Sequence, residues 1–274
     1  DHIIKKVKPN EIYNLAAQSH VGISFKSPFI TTQIDYIGVV NILDAVRFNS
    51  PKSKFYNAST SEIYGNINNN KILNEDSVKE PVSPYGISKL AAYHLTRIYR
   101  ESYSLFACNG ILFNHESPRR GLNFVTAKVI KGALEIKHKK KKFLELGNLD
   151  SMRDWGHAID YVNAMWMILQ HDKPDDWVIA TGEAYSVKDF AREAFKVVDL
   201  DWEDYVLSDK KYERPNEVHH LLGDPTKAKN ELKWKPETSF KDLVKMMVES
   251  DLLLAEQEKV LLDKKLIKPT WDNS

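Results

Sequence analysis

The chain has 274 residues and a net charge of +1, because 39 basic residues nearly balance 38 acidic ones. This balance excludes a polybasic nucleic-acid-binding or membrane-surface protein, and the apolar stretches are expected to be too interrupted to span a bilayer. The single cysteine, Cys108, excludes an internal disulfide and fits a reducing compartment, so a cytoplasmic protein without nucleic-acid or membrane partners is expected.

Hydrophobic patterning predicts strands that alternate with helices. The predicted strands are residues 11–17, 54–60, 106–113, 143–146 and 176–181. The predicted helices are residues 32–49, 84–103, 124–139, 157–171, 187–198, 225–232 and 240–262, with Thr31 or Thr32, Ser83 and Ser186 as N-caps. In the first helix, Ile34, Ile37, Val40 and Leu43 keep a helical period.

This alternation predicts an α/β fold with a Rossmann-type, doubly wound parallel sheet. Residues 1–150 are expected to form a partial dinucleotide-binding domain. Residues 151–274 are expected to form mainly a smaller substrate-binding region, with Rossmann elements interleaved near 157–182. The eleven glycines include no two within three residues of each other, so a G-x-G-x-x-G phosphate loop is absent from the sequence.

Tyr85 and Lys89 are four residues apart, which places both side chains on one helical face. A nearby ammonium favours the phenolate and lowers the pKa of a tyrosine, so Tyr85 could take a hydroxyl proton while hydride leaves the same carbon. The same spacing also occurs in ordinary helices with an interfacial tyrosine and an exposed lysine.

Thr60 and Glu62 come at the end of a predicted strand, at the sheet edge where open α/β folds bind ligands. Thr60 could hydrogen-bond the hydroxyl that Tyr85 deprotonates. Glu62 would then be available for a second proton transfer, which oxidation alone does not require. The extra carboxylate indicates elimination after oxidation, although a surface-loop acid is the alternative interpretation of Glu62.

Three segments carry a specific resemblance: 58–65 (ASTSEIYG), 83–89 (SPYGISK) and 114–121 (NHESPRRG), supported by 148–157 and 222–228. They resemble the GDP-mannose 4,6-dehydratase family of extended short-chain dehydrogenases/reductases, over nearly the whole chain. Ser61 separates the chain from dTDP-glucose dehydratases, which are similar but carry Asp there. Most epimerases of the superfamily lack a carboxylate at the Glu62 position.

The resemblance implies a reaction on GDP-mannose with NADP as cofactor. Tyr85, its pKa lowered by Lys89, would remove the 4-hydroxyl proton, and Thr60 would align that hydroxyl. Glu62 would take the carbon 5 proton, water would leave from carbon 6, and hydride would return there. The expected product is GDP-4-keto-6-deoxymannose.

The same resemblance implies further binding residues and no metal. The expected cofactor-binding residues are Leu15, Ala16, Ala17, Gln18, Ser19, Lys89, His115 and Arg120. The expected substrate-binding residues are Asn114, Lys128, Arg153, Arg214 and Glu217. Without the resemblance, the 15–19 segment is equally consistent with strand–helix packing, and the basic side chains with ordinary surface positions.

The family begins with a strand, a glycine-rich turn and a helix, so the chain is expected to start roughly 70 residues late, about two βα units. By itself it is expected to bind NADP poorly and to have little or no activity. A homodimer or homotetramer is expected from the resemblance. The alternative functions are a GDP-sugar 4-epimerase and a non-catalytic nucleotide-sugar-binding fragment.

Overall fold

Strands and helices alternate along most of the chain. The computed structural model describes residues 1–66, 72–212, 215–264 and 266. The strands are β1 (Glu11–Asn14), β2 (Lys54–Thr60), β3 (Ala107–Leu112), β4 (Asn114–Glu116), β5 (Leu144–Leu146), β6 (Met152–Arg153), β7 (Trp155–His157), β8 (Asp176–Ile179), β9 (Tyr185–Ser186), β10 (Val206–Ser208) and β11 (His220–Leu221). The helices are α1 (His2–Val7), α2 (Val21–Lys26), α3 (Pro28–Thr32), α4 (Gly38–Asn49), α5 (Pro84–Tyr103), α6 (Val125–Lys137), α7 (Ala158–Gln170), α8 (Val187–Val197) and α9 (Phe240–Asp263).

The main sheet has four parallel strands in the order β1-β2-β3-β8. β3 and β8 are buried throughout, and β2 is buried after its first residue, as expected for parallel strands covered on both faces. Helices α4 and α5 pack on one face, and α7 packs on the other. The predicted parallel α/β architecture is confirmed.

A row of buried polar side chains crosses this sheet at one register level. The amide of Asn14 donates to Asn57 at 3.4 Å, and that of Asn57 donates to Asn109 at 2.9 Å. Asn109 donates to Asp176 at 2.8 Å, and both oxygens of Asp176 accept from Arg100 at 3.0 Å. We call these five residues the polar ladder; it links all four strands to α5.

The second layer is built mainly by the C-terminal half. Helices α6, α8 and α9 enclose a core that includes Trp155, Phe190 and Leu243. Ser186 starts α8 with a capping box, exchanging hydrogen bonds with Asp189. Short strands outside the main sheet pair in three small sheets, β5–β10, β11–β6–β9 and β4–β7. The boundary placed at residue 150 stays a prediction.

Two predicted strands differ from the structure. The strand predicted at 11–17 ends at Asn14, and residues 15–17 form a loop. The strand predicted at 143–146 is β5, which pairs with β10 outside the main sheet. A short apolar run cannot specify its partner, because strand pairing depends on distant residues.

The helix predicted at 32–49 begins earlier, at Pro28 after Ser27, so Thr31 and Thr32 are internal rather than caps. It continues through a π-helical turn, Gln33–Ile37, into α4. These 22 residues are long and apolar enough to cross a membrane by length and composition, which corrects the expectation from sequence. One side of the helix nevertheless packs on the sheet and α5, as in a core helix.

Candidate active site

The end of β2 carries the first two predicted catalytic residues. Thr60 is the last residue of the strand, at the carboxyl edge of the sheet, and a 3₁₀ turn over Ser61–Ile63 follows. The Thr60 hydroxyl accepts the backbone N–H of Glu62 at 3.3 Å and so caps this turn. The backbone of Glu62 is therefore fixed directly after Thr60, and the residue is half-buried.

The first turns of α5 carry the other two predicted catalytic residues, Tyr85 and Lys89. The Ser83 hydroxyl accepts the backbone N–H of Gly86 at 3.0 Å, and Pro84 occupies the first helical position. A Cβ at Gly86 would lie 2.9 Å from the carbonyl oxygen of Glu62. The glycine therefore lets the start of α5 pack directly on the turn that carries Glu62.

Tyr85 and Lys89 are both buried, with 8% and 3% of their surfaces exposed. Lys89 Nζ donates to the carbonyl of Ala58 at 2.9 Å, which anchors the ammonium beneath the end of β2. Burial raises the pKa of Tyr85, and the charges of Asp35 and Glu62 add to this, while the Thr60 side chain and the charge of Arg120 lower it. The net direction is upward, opposite to the lowering by Lys89 that the sequence predicts, because the phenol is buried. Burial also lowers the pKa of Lys89. Tyr85 and Lys89 are thus brought to the strand end where Thr60 and Glu62 lie.

The predicted cofactor loop, 15–19, follows β1 at the same edge. Leu15, Ala16 and Ser19 are exposed, and Ala17 is half-buried. Gln18 turns inward: its backbone N–H donates to Asp35 at 2.6 Å, and its side-chain amide donates to Thr31 at 3.0 Å. This residue fixes the loop to the helix that starts at Pro28.

His115 lies in β4, and Arg120 lies in the loop that follows this strand. The His115 ring stacks on Tyr161, with 4.9 Å between centroids, and Nδ1 contacts the carbonyl of Phe113 at 2.9 Å. Burial lowers the pKa of His115, which favours the neutral ring. Arg120 Nε lies 3.0 Å from the buried carboxylate of Glu116.

The predicted substrate residues fall into separate contacts. Arg153 and Glu217 form an ion pair with 2.8 Å between Nη2 and Oε1. The Lys128 ammonium lies 3.8 Å from the centroid of the Tyr212 ring. Asn114 lies in β4, opposite Trp155 of β7. Arg214 lies outside the described residues.

Sequence comparisons show the family of the chain. The family described as GDP-mannose 4,6 dehydratase matches residues 1–247. GDP-mannose 4,6 dehydratase 2 of Arabidopsis thaliana is 50% identical, over 95% of this chain and 70% of the relative. The Homo sapiens GDP-mannose 4,6 dehydratase is 48% identical, over 92% of this chain and 73% of the relative. The chain belongs to the GDP-mannose 4,6-dehydratase family.

Solved structures agree in fold. RMD from Pseudomonas aeruginosa, complexed with NADPH, superposes with a TM-score of 0.81 at 22% identity, over 89% of this chain and 82% of that one. A Thermus thermophilus UDP-glucose 4-epimerase, complexed with NAD, gives 0.82 at 22% identity, over 91% of this chain and 79% of that one. At this identity the likeness shows a shared Rossmann-like fold.

The buried lysine fits one end of a nicotinamide dinucleotide. An ammonium has three donors, and the part of the chain that the structure describes supplies Lys89 with one hydrogen-bond acceptor, the Ala58 carbonyl. The remaining donors suit ribose hydroxyls, and the small residues Ala16 and Ala17 leave room for a ligand at the sheet edge. Across the described ranges, no group of three or more His, Cys, Asp or Glu residues could hold a metal ion.

Sequence reasoning missed two buried carboxyls next to these residues, Asp35 and Glu116. Glu116 accepts the Thr126 hydroxyl at 2.7 Å and pairs with Arg120, so it positions that guanidinium. Glu116 lay inside a recognised motif and could have been selected with Arg120. An acidic residue between apolar positions of the helix was the available signal for Asp35.

Proposed function

We propose that the protein is a hydro-lyase that converts GDP-mannose to GDP-4-keto-6-deoxymannose with NADP as cofactor. The observation that carries the proposal is the placement of Glu62 in the turn that Thr60 caps, where its backbone packs against the start of the helix that bears Tyr85 and Lys89. An oxidation site needs one proton acceptor, whereas this site offers a phenol and a separate carboxylate. The relatives at about half identity support GDP-mannose as the substrate.

Tyr85 would act as the base for the hydroxyl on carbon 4. The Thr60 side chain lies close enough to lower the pKa of this phenol, so both side chains can contact one substrate oxygen. The Lys89 ammonium, once in the charged form, stabilises the phenolate. When bound, a nicotinamide would accept a hydride from carbon 4 and return one to carbon 6.

Glu62 would serve the elimination. A ketone at carbon 4 acidifies the proton on carbon 5, and a half-buried carboxylate beside Thr60 can remove it. The same carboxyl, now protonated, can give a proton to the hydroxyl that leaves carbon 6 as water. Hydride addition at carbon 6 leaves an enolate, which takes a proton on carbon 5 and so balances the proton that Tyr85 removed from the 4-hydroxyl. The net change is the loss of one molecule of water, with the hydride conserved within the sugar.

The binding roles follow the predicted residues. Arg153 offers a planar guanidinium for diphosphate oxygens, and its partner Glu217 can accept hydrogen bonds from guanine or ribose. Lys128, Arg214 and Asn114 are proposed to complete the substrate site. His115 and Arg120, with loop 15–19 and Lys89, are proposed to hold the cofactor; the choice of NADP over NAD rests on the family resemblance.

The test uses GDP-mannose that carries deuterium on carbon 4 and either NADP or NAD, incubated with this chain and with a form extended at its N-terminus, and read by mass spectrometry. The extended form is expected to give a product that has lost one water and retains the label on carbon 6, with NADP as the better cofactor, and this chain to give little or none. Glu62→Gln should stop water loss while still allowing cofactor reduction at carbon 4, which separates the two proton transfers.

Other results would overturn the proposal in distinct ways. A product of unchanged mass with its label on carbon 4 would indicate a 4-epimerase. Absence of product from both forms, with GDP-mannose binding seen by calorimetry, would indicate a non-catalytic nucleotide-sugar-binding protein. Water loss at an undiminished rate in Glu62→Gln would show that this carboxylate takes no part in the mechanism.

A homodimer or homotetramer in the cytoplasm is also proposed. Several large apolar side chains are exposed on α4, α5 and the turn before them: Ile34, Phe48, Ile87 and Ile98. Burying such side chains against a second copy would remove apolar surface from water. Light scattering should give at least twice the 31.6 kDa chain mass, and Ile98→Glu should reduce it.

A further inference from the structure

Asn66 lies just after the turn that carries Glu62, and its side chain reaches a strand that is distant in the sequence. Its amide nitrogen Nδ2 donates to the backbone carbonyl of Glu217 at 2.7 Å. Its Oδ1 accepts the backbone N–H of His219 at 3.0 Å. One side-chain amide therefore binds the backbone on both sides of Val218.

The two bonds of Asn66 reproduce the hydrogen-bond pattern of a parallel β-bridge. Further along the same loop, Leu73 forms such a bridge with its backbone: its N–H donates to the carbonyl of Leu222, and its carbonyl accepts the N–H of Asp224, both at 2.8 Å. Asn66 repeats this pattern around Val218, with its amide group in place of a peptide. A side-chain amide is suited to this contact, because it offers a donor and an acceptor side by side.

The residue between the two bonds is buried against the same turn. Val218 has 1% of its surface exposed and lies in one core cluster with Ile63 and Tyr64, at the end of the 3₁₀ turn. On the other side, the N–H of Met152 donates to the carbonyl of His219 at 2.8 Å, and β11 continues this pairing with β6. The strand is thus held between the 3₁₀ turn and β6.

This strand carries one half of the ion pair that is proposed to bind substrate. Glu217, whose carbonyl accepts from Asn66, pairs through its side chain with the buried Arg153 at 2.8 Å. The rotamers open to a side chain depend on its backbone conformation, so the bond from Asn66 restricts where the Glu217 carboxylate can lie. Asn66 therefore links the turn that bears Glu62 directly to this ion pair.

We propose that Asn66 is a positioning residue, which sets the Arg153–Glu217 pair at a fixed place relative to the Glu62 turn. This rests on the proposed function, in which the pair binds the nucleotide end of GDP-mannose and Glu62 acts on the sugar. A substrate held at one end reacts only if its other end reaches the reacting groups, and small misplacements are costly. Asn66 acts through the backbone of Glu217.

The first measurement is GDP-mannose binding by calorimetry, to this chain and to the form extended at its N-terminus. Asn66→Ala removes both bonds and should raise the Kd by about tenfold, because the substrate must then order the Glu217 backbone itself. Asn66→Asp keeps an acceptor for the His219 N–H but places a carboxylate oxygen against the Glu217 carbonyl. It should therefore bind GDP-mannose at least as weakly as Asn66→Ala.

The matched control is Asn74→Ala, in the same loop. Asn74 is also half-buried, but its Oδ1 accepts the N–H of Asp76 and the hydroxyl of Ser77 at 3.1 Å, within its own loop. Its removal should leave the Kd for GDP-mannose unchanged. Equal Kd values in Asn66→Ala and Asn74→Ala would overturn the proposal.

A double-mutant cycle separates positioning from a general loosening of the loop. If Asn66 acts through Glu217, Asn66→Ala should change the Kd by only about twofold or less in a Glu217→Gln background. A merely structural role would lower the folded fraction and give the same factor in both backgrounds, which would overturn the proposal. In the extended form, the KM for GDP-mannose should rise with the Kd while the KM for NADP stays unchanged.

Hydrogen exchange gives a readout that needs no substrate. The N–H of His219 should lose protection in Asn66→Ala and keep it in Asn74→Ala. Unchanged protection in Asn66→Ala would overturn the proposal at its structural step. If neither form of the wild type binds or turns over GDP-mannose, the proposed function fails and the role of Asn66 toward the substrate fails with it. Lost protection in that case would still show the link between the turn and the strand.

Discussion

The polar ladder differs from the catalytic edge, by which we mean the end of β2 and the helices packed on it, in how buried polar groups are bonded. In the ladder, Asn57 and Asn109 each find a partner on the next strand, and Asp176 ends the row with two bonds from Arg100. At the edge, Asp35 keeps an oxygen without a partner among the described residues, and Lys89 contacts a single carbonyl. The ladder fixes register, whereas the edge keeps interactions open for ligands and protons.

This difference predicts that changes in the two regions separate chemistry from stability. The edge should tolerate substitutions that leave the fold intact but remove a reacting group. The ladder should show the reverse, because removing one amide leaves its neighbours buried and unpaired. Four experiments test this separation.

The largest effect is expected for Tyr85→Phe. Removing the phenolic proton acceptor should lower the rate of product formation by about a thousandfold, the usual range for a positioned acid–base group. The melting temperature should change little, because the ring still fills its buried place. Tyr103→Phe, on the exposed end of the same helix, is the control and should keep full activity. Retention of a tenth of the wild-type rate in Tyr85→Phe would argue against the proposed base.

A substitution in the polar ladder should lower the stability of the fold rather than the rate of catalysis. Asn109→Ala removes the partner of both Asn57 and Asp176, and we expect the free energy of unfolding to fall by about 2–3 kcal/mol. Urea unfolding measures this loss, with the exposed Asn230→Ala as the matched control. The turnover rate per folded molecule should stay near wild type. A large loss of turnover at unchanged stability would show that the ladder belongs to the site.

Gly86→Ala tests the contact that joins α5 to the Glu62 turn. The new Cβ would meet the Glu62 carbonyl oxygen at 2.9 Å, so the helix start must shift away from the turn. We expect kcat to fall by about 10- to 100-fold, because small misplacements of catalytic groups are costly. In the control, Gly38→Ala, the nearest atom lies 3.8 Å from the new Cβ, and helix propensity should add about 0.5–1 kcal/mol of stability. Equal effects in both variants would contradict the packing argument.

The sequence predicted the elements that carry local signals. Ser83–Pro84 marked the start of α5 correctly, and the four-residue spacing placed Tyr85 and Lys89 on one side of it. The equivalent start at Ser27–Pro28 was overlooked, although it has the same two residue types. Chain-local rules such as capping and helical spacing therefore accounted for the catalytic helix.

Asp35 could not be derived in the same way. The helical period assigned the apolar face to Ile34, Ile37 and Val40, but Ile34 is 40% exposed and the buried positions include Asp35 and Val39. A π turn accommodates an extra residue and shifts the phase of the helix, so a constant period selects the wrong face. The contact between Asp35 and Gln18 joins residues 17 apart, and no local pattern encodes it.

The smallest expected effect is the contribution of Asp35 to stability as pH changes. Its folded pKa, raised to about 6, exceeds the ordinary value of 3.8, so the folded state binds this proton more tightly than the unfolded state. The resulting stabilisation is complete below about pH 4 and is lost as pH rises through 6. We therefore expect the unfolding free energy of the wild type, relative to Asp35→Asn, to fall by on the order of 1 kcal/mol between pH 4 and 7. Thermal and urea unfolding of both proteins across this range measure the difference in unfolding free energy. The other carboxyls are the same in both proteins, so their contributions cancel from this difference. A difference that rises with pH would mean that Lys89 and Gln18 outweigh burial, so that Asp35 is a satisfied ion-pair member like Asp176 and the contrast between edge and ladder fails.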